Sequence, residues 1–461
     1  MVSGSPSGRE AGYAPPMVSR LVLGAACVLA LTTEVLANGR PPQTSSITFR
    51  PGAETEIVAG TSFGLLASKD NGVTWRWMCE DALPYGGMYD PDYEIMSSGT
   101  LFATTFDGLK INTDGCTFAS TVLAPPEPDL KFFSVIARAS DNTFYAAAAD
   151  PTDGTIYKSI NEGAAFTPLS MPGMLNDWWQ SLEVAPTDPN RLYLSGYRFV
   201  TVPNMGTTKV FLLFTSTNAG TSWSPLPLAD FVTMSNSTLE IAGVSKTDPL
   251  HVFARVTLED NAIADGIYES TNGGQSWTKV LSKMSSIALV MRANGDVIAG
   301  TQTQGSFKRA SGQTTWTELA GAPHINCLVE NSAGEVWACT QNYGNPQVPM
   351  DGYGIMKSTD LVTWTPVMKY QDIYEPVMCP TDTLQYMKCD RPSASGGIGW
   401  CGLCEQLGCD PKRSCVAEVD GTPEPPKKDG GCCQTGDNTL PSSVAVGAFV
   451  GIVLSRRRKR R

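Results

Sequence analysis

Seven times between residues 68 and 364 the chain writes a version of Ser-x-Asp-x-Gly-x-Thr-Trp. The clearest copies are Ser68-Lys69-Asp70-Asn71-Gly72-Val73-Thr74-Trp75, Ser216 to Trp223 and Ser270 to Trp277, with Asn218 and Asn272 at the Asp position of the latter two. Weaker copies run from Asn112 to Phe118 around Asp114, Ser159 to Phe166 around Asn161 and Arg309 to Trp316; a shortened one, Ser358 to Trp364, carries Asp360. The closing aromatics at 75, 118, 166, 223, 277, 316 and 364 recur at intervals of 39 to 57 residues. That period fits a repeating unit of four short strands. It predicts an all-β chain: a seven-bladed β-propeller of four-stranded blades over 45–370.

The residue types suit a turn. Asp or Asn accepts backbone N–H groups two residues on, and Gly tolerates positive φ where the chain reverses. Ser and Thr hydroxyls add local backbone bonds. The aromatic opens the next strand and buries its ring against a neighbouring sheet. Asp70, Asp114, Asn161, Asn218, Asn272 and Asp360 are therefore expected to be structural. Calcium at Asp70-x-Gly72 is disfavoured, because one carboxylate is too few for a cage of six or more oxygens. No metal or other cofactor is expected. The repeat resembles the Asp-box (BNR) motif of sialidases, sortilin-type receptors and xyloglucanase-type glycosidases. That resemblance implies a propeller whose boxes lie away from any active site.

Strand patterns fill the repeats. Blade 1 is expected to use Ser46–Arg50, Glu56–Thr61, Gly64–Lys69 and Thr74–Cys79; the last blade is expected to use Ile325–Glu330, Glu335–Gln341, Gly354–Ser358 and Thr363–Lys369. Each broadly alternates apolar and polar residues. No strand is left over, so the ring is expected to close by blade packing.

Both ends read as addresses. A charged start and the apolar run 21–31 precede Val35-Leu36-Ala37, which predicts a signal peptide over 1–37, cleaved at Ala37, with Met17 an alternative start. At the other end Cys432-Cys433 is followed by a polar spacer, the apolar run 443–454 and the basic block 456–461. The run is shorter than the roughly 20 residues of a spanning helix, and the basic block favours the cytoplasmic side. This tail, 432–461, resembles the myxobacterial C-terminal sorting (MYXO-CTERM) domain. The resemblance implies a sorting protease and the membrane as partners, processing at Cys432 or Cys433, and display at the cell surface or outer membrane. Removing both ends takes away eight basic and two acidic residues, so the mature chain is more acidic than the −11 of the full sequence. Such a surface excludes nucleic acid as an expected partner.

Thirteen Cys in an exported chain suggest disulfides. Cys327 and Cys339 flank the turn Asn331-Ser332-Ala333-Gly334 and are expected to face each other across two strands. Cys79 and Cys116 leave neighbouring repeats and are expected to pair. Cys379, Cys389, Cys401, Cys404, Cys409 and Cys415 crowd a segment with little apolar sequence, 371–418, expected to be a small module stapled by three disulfides of its own. Trp400-Cys401-Gly402-Leu403-Cys404 resembles the thioredoxin Trp-Cys-Gly-Pro-Cys box, with Leu403 departing from its Pro; the Gly- and Pro-rich setting favours a structural disulfide. Residues 419–431 are Pro-rich and charged, an extended spacer.

Function is expected opposite the box turns, where the remaining loops gather. The crossing after blade 1 carries Trp77, Tyr85, Tyr89, Asp90, Asp92, Tyr93 and Glu94, and that into blade 4 ends at Asp177-Trp178-Trp179. Tyr89, Trp178, Trp179, Tyr197 and Arg198 are the candidate ligand contacts, with blade packing the competing role of the two Trp. The reading is a non-catalytic module for a surface glycan or protein. A glycoside hydrolase is the alternative, with Asp90, Asp92 and Glu94 the candidate carboxylates; a structural or assembly role is the third. Phe49-Arg50-Pro51 matches only part of the sialidase Phe-Arg-Ile-Pro element, and no arginine cluster accompanies it. Ser/His/Asp catalysis is disfavoured, since His251 and His324 are the only histidines and sit at strand edges.

Overall fold

The computed structural model describes residues 41–83, 90–122, 131–202, 206–231, 237–258, 265–284, 286–346, 348–390 and 399–409. The signal-peptide segment with Ala37, Tyr85, Tyr89, Cys415, the spacer and the tail with Cys432 and Cys433 lie outside them.

Seven antiparallel sheets form the blades: 44–78, 93–120, 133–168, 178–225, 238–283, 286–318 and 327–368. Each runs meander-fashion through four strands. In blade 1 these are Thr44–Phe49, Ile57–Thr61, Gly64–Ser68 and Arg76–Met78. The first strand of every blade touches the first strands of both neighbours, from blade 1 through blade 7 and back. First strands therefore line a central axis, and the ring is closed. Second strands such as Ile57–Thr61 and Val297–Thr301 are buried at every residue, as strands covered on both faces should be.

The boxes join third to fourth strands. Ser68 Oγ accepts the N–H of Gly72 (2.9 Å) and donates to Asp70 Oδ1 (2.9 Å), which also accepts the N–H of Thr74 (2.8 Å). The same set recurs around Asn161, Asn218 and Asn272. The reach thus exceeds the expected two residues: the Asx oxygen spans four, because two successive positive-φ residues (Asn71 at 60° and Gly72 at 81°) tighten the loop beneath it. Asp114 and Asp360 span three residues. The N–H groups of Thr363 and Val362 hold Asp360 at about 2, well below the usual carboxylate range.

The box glycine is also a packing point. A Cβ on Gly72 would stand 2.7 Å from Val367 of blade 7; one on Gly163 would stand 2.5 Å from Phe102 of blade 2; Gly220 and Gly274 similarly meet Leu169 and Leu226 of the preceding blades. In box 7 the place is taken by Leu361, which keeps φ at 65° and packs with Val290 and Ile298 of blade 6. Box 6 has Arg309 in place of Ser; it is buried and clasps Glu269 of blade 5 through two bonds of 2.7 and 2.6 Å.

Closure departs from expectation. The strands of blades 1 and 7 are each continuous in sequence, but a fifth strand, Glu375–Pro376, adds parallel to the outer strand of blade 1. Arg76 binds Glu375 at 2.5 Å. Cys79 pairs with Cys389 and Cys116 with Cys379, across 310 and 263 residues, so the expected Cys79–Cys116 bond does not form. Nor is 371–418 a module stapled only to itself: two of its six cysteines are bonded into blades 1 and 2. Cys404 pairs with Cys409 rather than Cys401, on the helix Trp400–Leu407 and its left-handed cap Gly408. Trp400, Leu403 and Leu407 share the core of blade 1, with Trp400 5.9 Å from Trp77. The segment has too few apolar residues for its own core, and it borrows that of the propeller. Cys327–Cys339 forms as expected, at directly opposed positions of adjacent strands.

Gly163→Ala is expected to cost more than Gly115→Ala. Both place a side chain at positive φ, about 1–2 kcal/mol. Only Gly163 adds overpacking, about 1–3 kcal/mol, since nothing lies within 4 Å of a Cβ on Gly115. Urea unfolding of the two variants checks this; equal losses would refute the packing role.

Candidate functional site

First strands run toward the box face, so their starts and the turns between second and third strands meet on the opposite face. There five aromatics succeed one another across blades 2, 3 and 4. Phe106, in the turn after Leu101–Thr105, stacks on Phe132 at 4.6 Å. Phe132, just before the first strand of blade 3, lies 5.5 Å from Trp178, the first residue of the innermost strand of blade 4. Trp178 is paired across the sheet with Tyr197, and Tyr197 meets Phe199 edge-on at 5.4 Å. Lys209 Nζ sits 4.3 Å over the Tyr197 ring and donates to Ser237 O. Phe106, Phe132, Trp178 and Tyr197 are half-buried, and Phe199 is 49% exposed.

The row climbs a hairpin that overreaches its blade. The second and third strands of blade 4, Leu192–Val202 and Gly206–Ser216, have eleven residues each, against five in blade 1. Asp177 fixes the hairpin to the loop before it. Its buried carboxylate takes two bonds of 2.7 Å from Arg198 and the N–H of Met174. An ion pair with two parallel bonds sets geometry as well as energy.

Along the axis below the row, first strands carry carboxylates, with Asp92 just ahead of its strand and Glu183 near the box-side end of Trp178–Val184. Asp92 and Glu94 come from blade 2, Glu183 from blade 4 and Glu240 from blade 5. Blades 2 and 5 are not neighbours, so Asp92 and Glu240 influence each other only across the axis. Asp92 keeps an exposed side chain, yet its place within the ring pushes it up to about 7, helped by the negative Glu240 and Glu94. Glu183 is likewise raised to about 7, by enclosure first and then by Glu94 and Asp92. Glu94 is raised as well, by desolvation, against the opposing 2.7 Å bond from Arg138 Nε. Arg255 bonds Glu240. On the box side Glu330 of blade 7, almost fully buried, binds Lys246 of blade 5 (2.7 Å) and Arg292 of blade 6 (2.9 Å).

The expected residues separate clearly. Trp178 and Tyr197 stand in the aromatic row. Trp179, one position on, points the other way: it is 3% exposed, donates to Ala148 O and packs on Phe214, so it holds blade 4 to blade 3. Arg198 is committed to Asp177. Trp77 and Tyr93 are buried strand residues. Asp92 and Glu94 converge on the axis; Asp90 lies two residues before Asp92, ahead of the strand. His251 binds Glu269 at 2.6 Å and His324 binds Asp351 at 2.8 Å, both within the scaffold. Sequence reasoning missed Phe106, Phe132, Phe199, Glu183 and Glu240. Only the strand alternation carried a signal for the two acids, each a lone charge at a half-buried position of an inner strand. Among the described residues no three His, Cys, Asp or Glu are grouped as a metal site.

No protein-family model and no curated protein matches the chain. Solved structures are similar to it at low identity. The extracellular domain of a one component system from B. thetaiotaomicron is 14% identical with a TM-score of 0.45, over 66% of this chain and 38% of that one. An ancestral GH74 enzyme is 15% identical with a TM-score of 0.47, over 72% and 47%. The GH74 xyloglucanase from Xanthomonas campestris is 14% identical with a TM-score of 0.35, over 71% of each chain. The chain spans less than half the length of the first two.

Proposed function

We propose that the protein is an exported, surface-anchored propeller that binds a glycan or a protein without chemistry, on the face opposite its Asp-boxes. The observation that carries this is the aromatic row Phe106–Phe132–Trp178–Tyr197–Phe199 on a rigid scaffold. Rings presented edge and face beside carboxylates suit stacking on sugars or on aromatic and cationic side chains. Export is supported by the disulfides, which persist in oxidising compartments. The resemblance of the tail to a sorting domain supports anchoring, with cleavage at Ala37 and processing at Cys432 or Cys433. In this reading the mature chain comprises the propeller, the segment 371–418 clamped to it, the spacer 419–431 and the tail.

Trp178→Ala is expected to weaken binding tenfold or more, about 1.4 kcal/mol, with thermal stability nearly unchanged; Asp70→Asn is expected to leave binding intact. A glycan array, and affinity capture from envelope extract, identify the ligand. Enrichment of nothing on either would sink the proposal.

Hydrolysis is a second reading: the ring pushes Asp92 and Glu183 up to about 7 among other carboxylates, the range a general acid requires. Cleavage of fluorogenic glycosides, abolished by Asp92→Asn or Glu183→Gln, would establish it.

The same shifts set a pH dependence. Unfolded, both groups ionise near their ordinary values of 3.8 and 4.5; folded, they hold their protons to about 7. Between those limits the folded state binds more protons, so stability falls as pH rises from about 4 to 7 and levels off above. Glu183→Gln is therefore expected to stabilise the fold at pH 8 by on the order of 1 kcal/mol after discounting for water at the site, seen as a higher melting temperature. The gain is expected to vanish near pH 4. Melting curves across that range check it, and a gain that grows on acidification would contradict it.

A further inference from the structure

Junctions between blades are not equally sealed. Glycines or leucine of boxes 1, 3, 4, 5 and 7 seat on the preceding blade, and box 6 substitutes the Arg309–Glu269 clasp. Box 2 has neither: Gly115 meets nothing within 4 Å. Near the axis blades 1 and 2 are joined, with Arg50 Nε bonded to Ser97 O at 2.9 Å and Thr48 Oγ1 to Tyr93 O at 3.3 Å. Outward from these bonds they part into a cleft of about 710 Å³ along the seam. Its walls include Leu65 and Met78 of blade 1, Leu101 and Asp114 of blade 2, and Val377 and Met378 of the strand-bearing segment that follows blade 7.

That segment is tied twice, and the two ties differ in access. Cys79–Cys389 is sealed, at 5% and 0% exposure. Cys327–Cys339 and Cys404–Cys409 each have one fully buried cysteine. In Cys116–Cys379 alone among these four are both cysteines partly exposed. Thiol–disulfide exchange requires a thiolate to reach a sulfur, so access orders the rates.

We propose that Cys116–Cys379 is a reducible lock on the seam between blades 1 and 2, which a dithiol reductant opens while the ring stays closed through Cys79–Cys389. The reductant's thiolate attacks one Sγ and forms a mixed disulfide, releasing the other cysteine as thiolate. Its second thiol then displaces the first cysteine. The reductant leaves as a disulfide, two electrons have passed to the protein, and Cys116 and Cys379 end as thiols after taking up two protons. The wall carrying Met378, 77% exposed, is then free of blade 2, and the cleft widens. The lock is independent of what the aromatic face binds.

The test is limited reduction of the full chain by a small dithiol, with alkylation, peptide mapping and hydrogen exchange. Cys116 and Cys379 are expected to label at least tenfold faster than Cys79 and Cys389. Exchange is expected to rise at 95–101, 112–116 and 374–379 and to stay unchanged in blades 4 to 6. The Cys116→Ser, Cys379→Ser double variant, never reduced, is expected to fold and show the same exchange pattern. Labelling of all four cysteines together, selective labelling without the exchange change, or a double variant that does not fold would each overturn the proposal.

Discussion

Ring closure is the constraint on which everything else in this molecule depends. Seven wedge-shaped sheets enclose an axis only if the last meets the first, and here those blades begin more than 280 residues apart. Bringing such distant segments together carries a loop-closure cost that grows only slowly with length. The chain offsets it with several contacts at one place. Phe49 meets Trp337 edge-on at 5.3 Å, and Ser332 is bound by Glu54. Tyr370 bonds Thr44 at 2.9 Å. Beyond blade 7 the chain does not stop: it lays Glu375–Pro376 along blade 1 and then bonds its cysteines into blades 1 and 2. Cross-links over such long loops constrain the unfolded chain most.

With the ring closed, the two faces divide their roles. Box turns satisfy their own backbone groups and wedge a glycine or leucine against the preceding blade, leaving few groups there for a ligand. Glu330, Lys246 and Arg292 tie three blades together on that side. The opposite face has the overreaching hairpin of blade 4 and the aromatic row, while Asp92 and Glu183, both pushed up to about 7, face the axis that joins the two faces. Rigid corners on one side thereby position adaptable chemistry on the other.

The propeller was legible because its signal repeats: each box is a local motif, and each strand alternates. Strand limits in blades 1 and 7 fall within three residues of those expected. What escaped was non-local. Cys79 and Cys116 look like partners when only their own blades are considered, but they bond to cysteines 310 and 263 residues away, brought near by a strand too short to recognise. Trp178 and Trp179 are adjacent and chemically identical; the twofold alternation of a strand sends one to the open face and the other into the core. Arg198 looked available because its partner Asp177 lies 21 residues earlier. Glu183 and Glu240 carry no motif, and only the shared axis makes them neighbours of Asp92.

The most direct measurement is a non-reducing peptide map of the purified chain. Closure by the segment after blade 7 predicts linked peptides containing Cys79 with Cys389 and Cys116 with Cys379. A Cys79–Cys116 peptide, or bonds from Cys379 and Cys389 only to cysteines at 401–415, would contradict it.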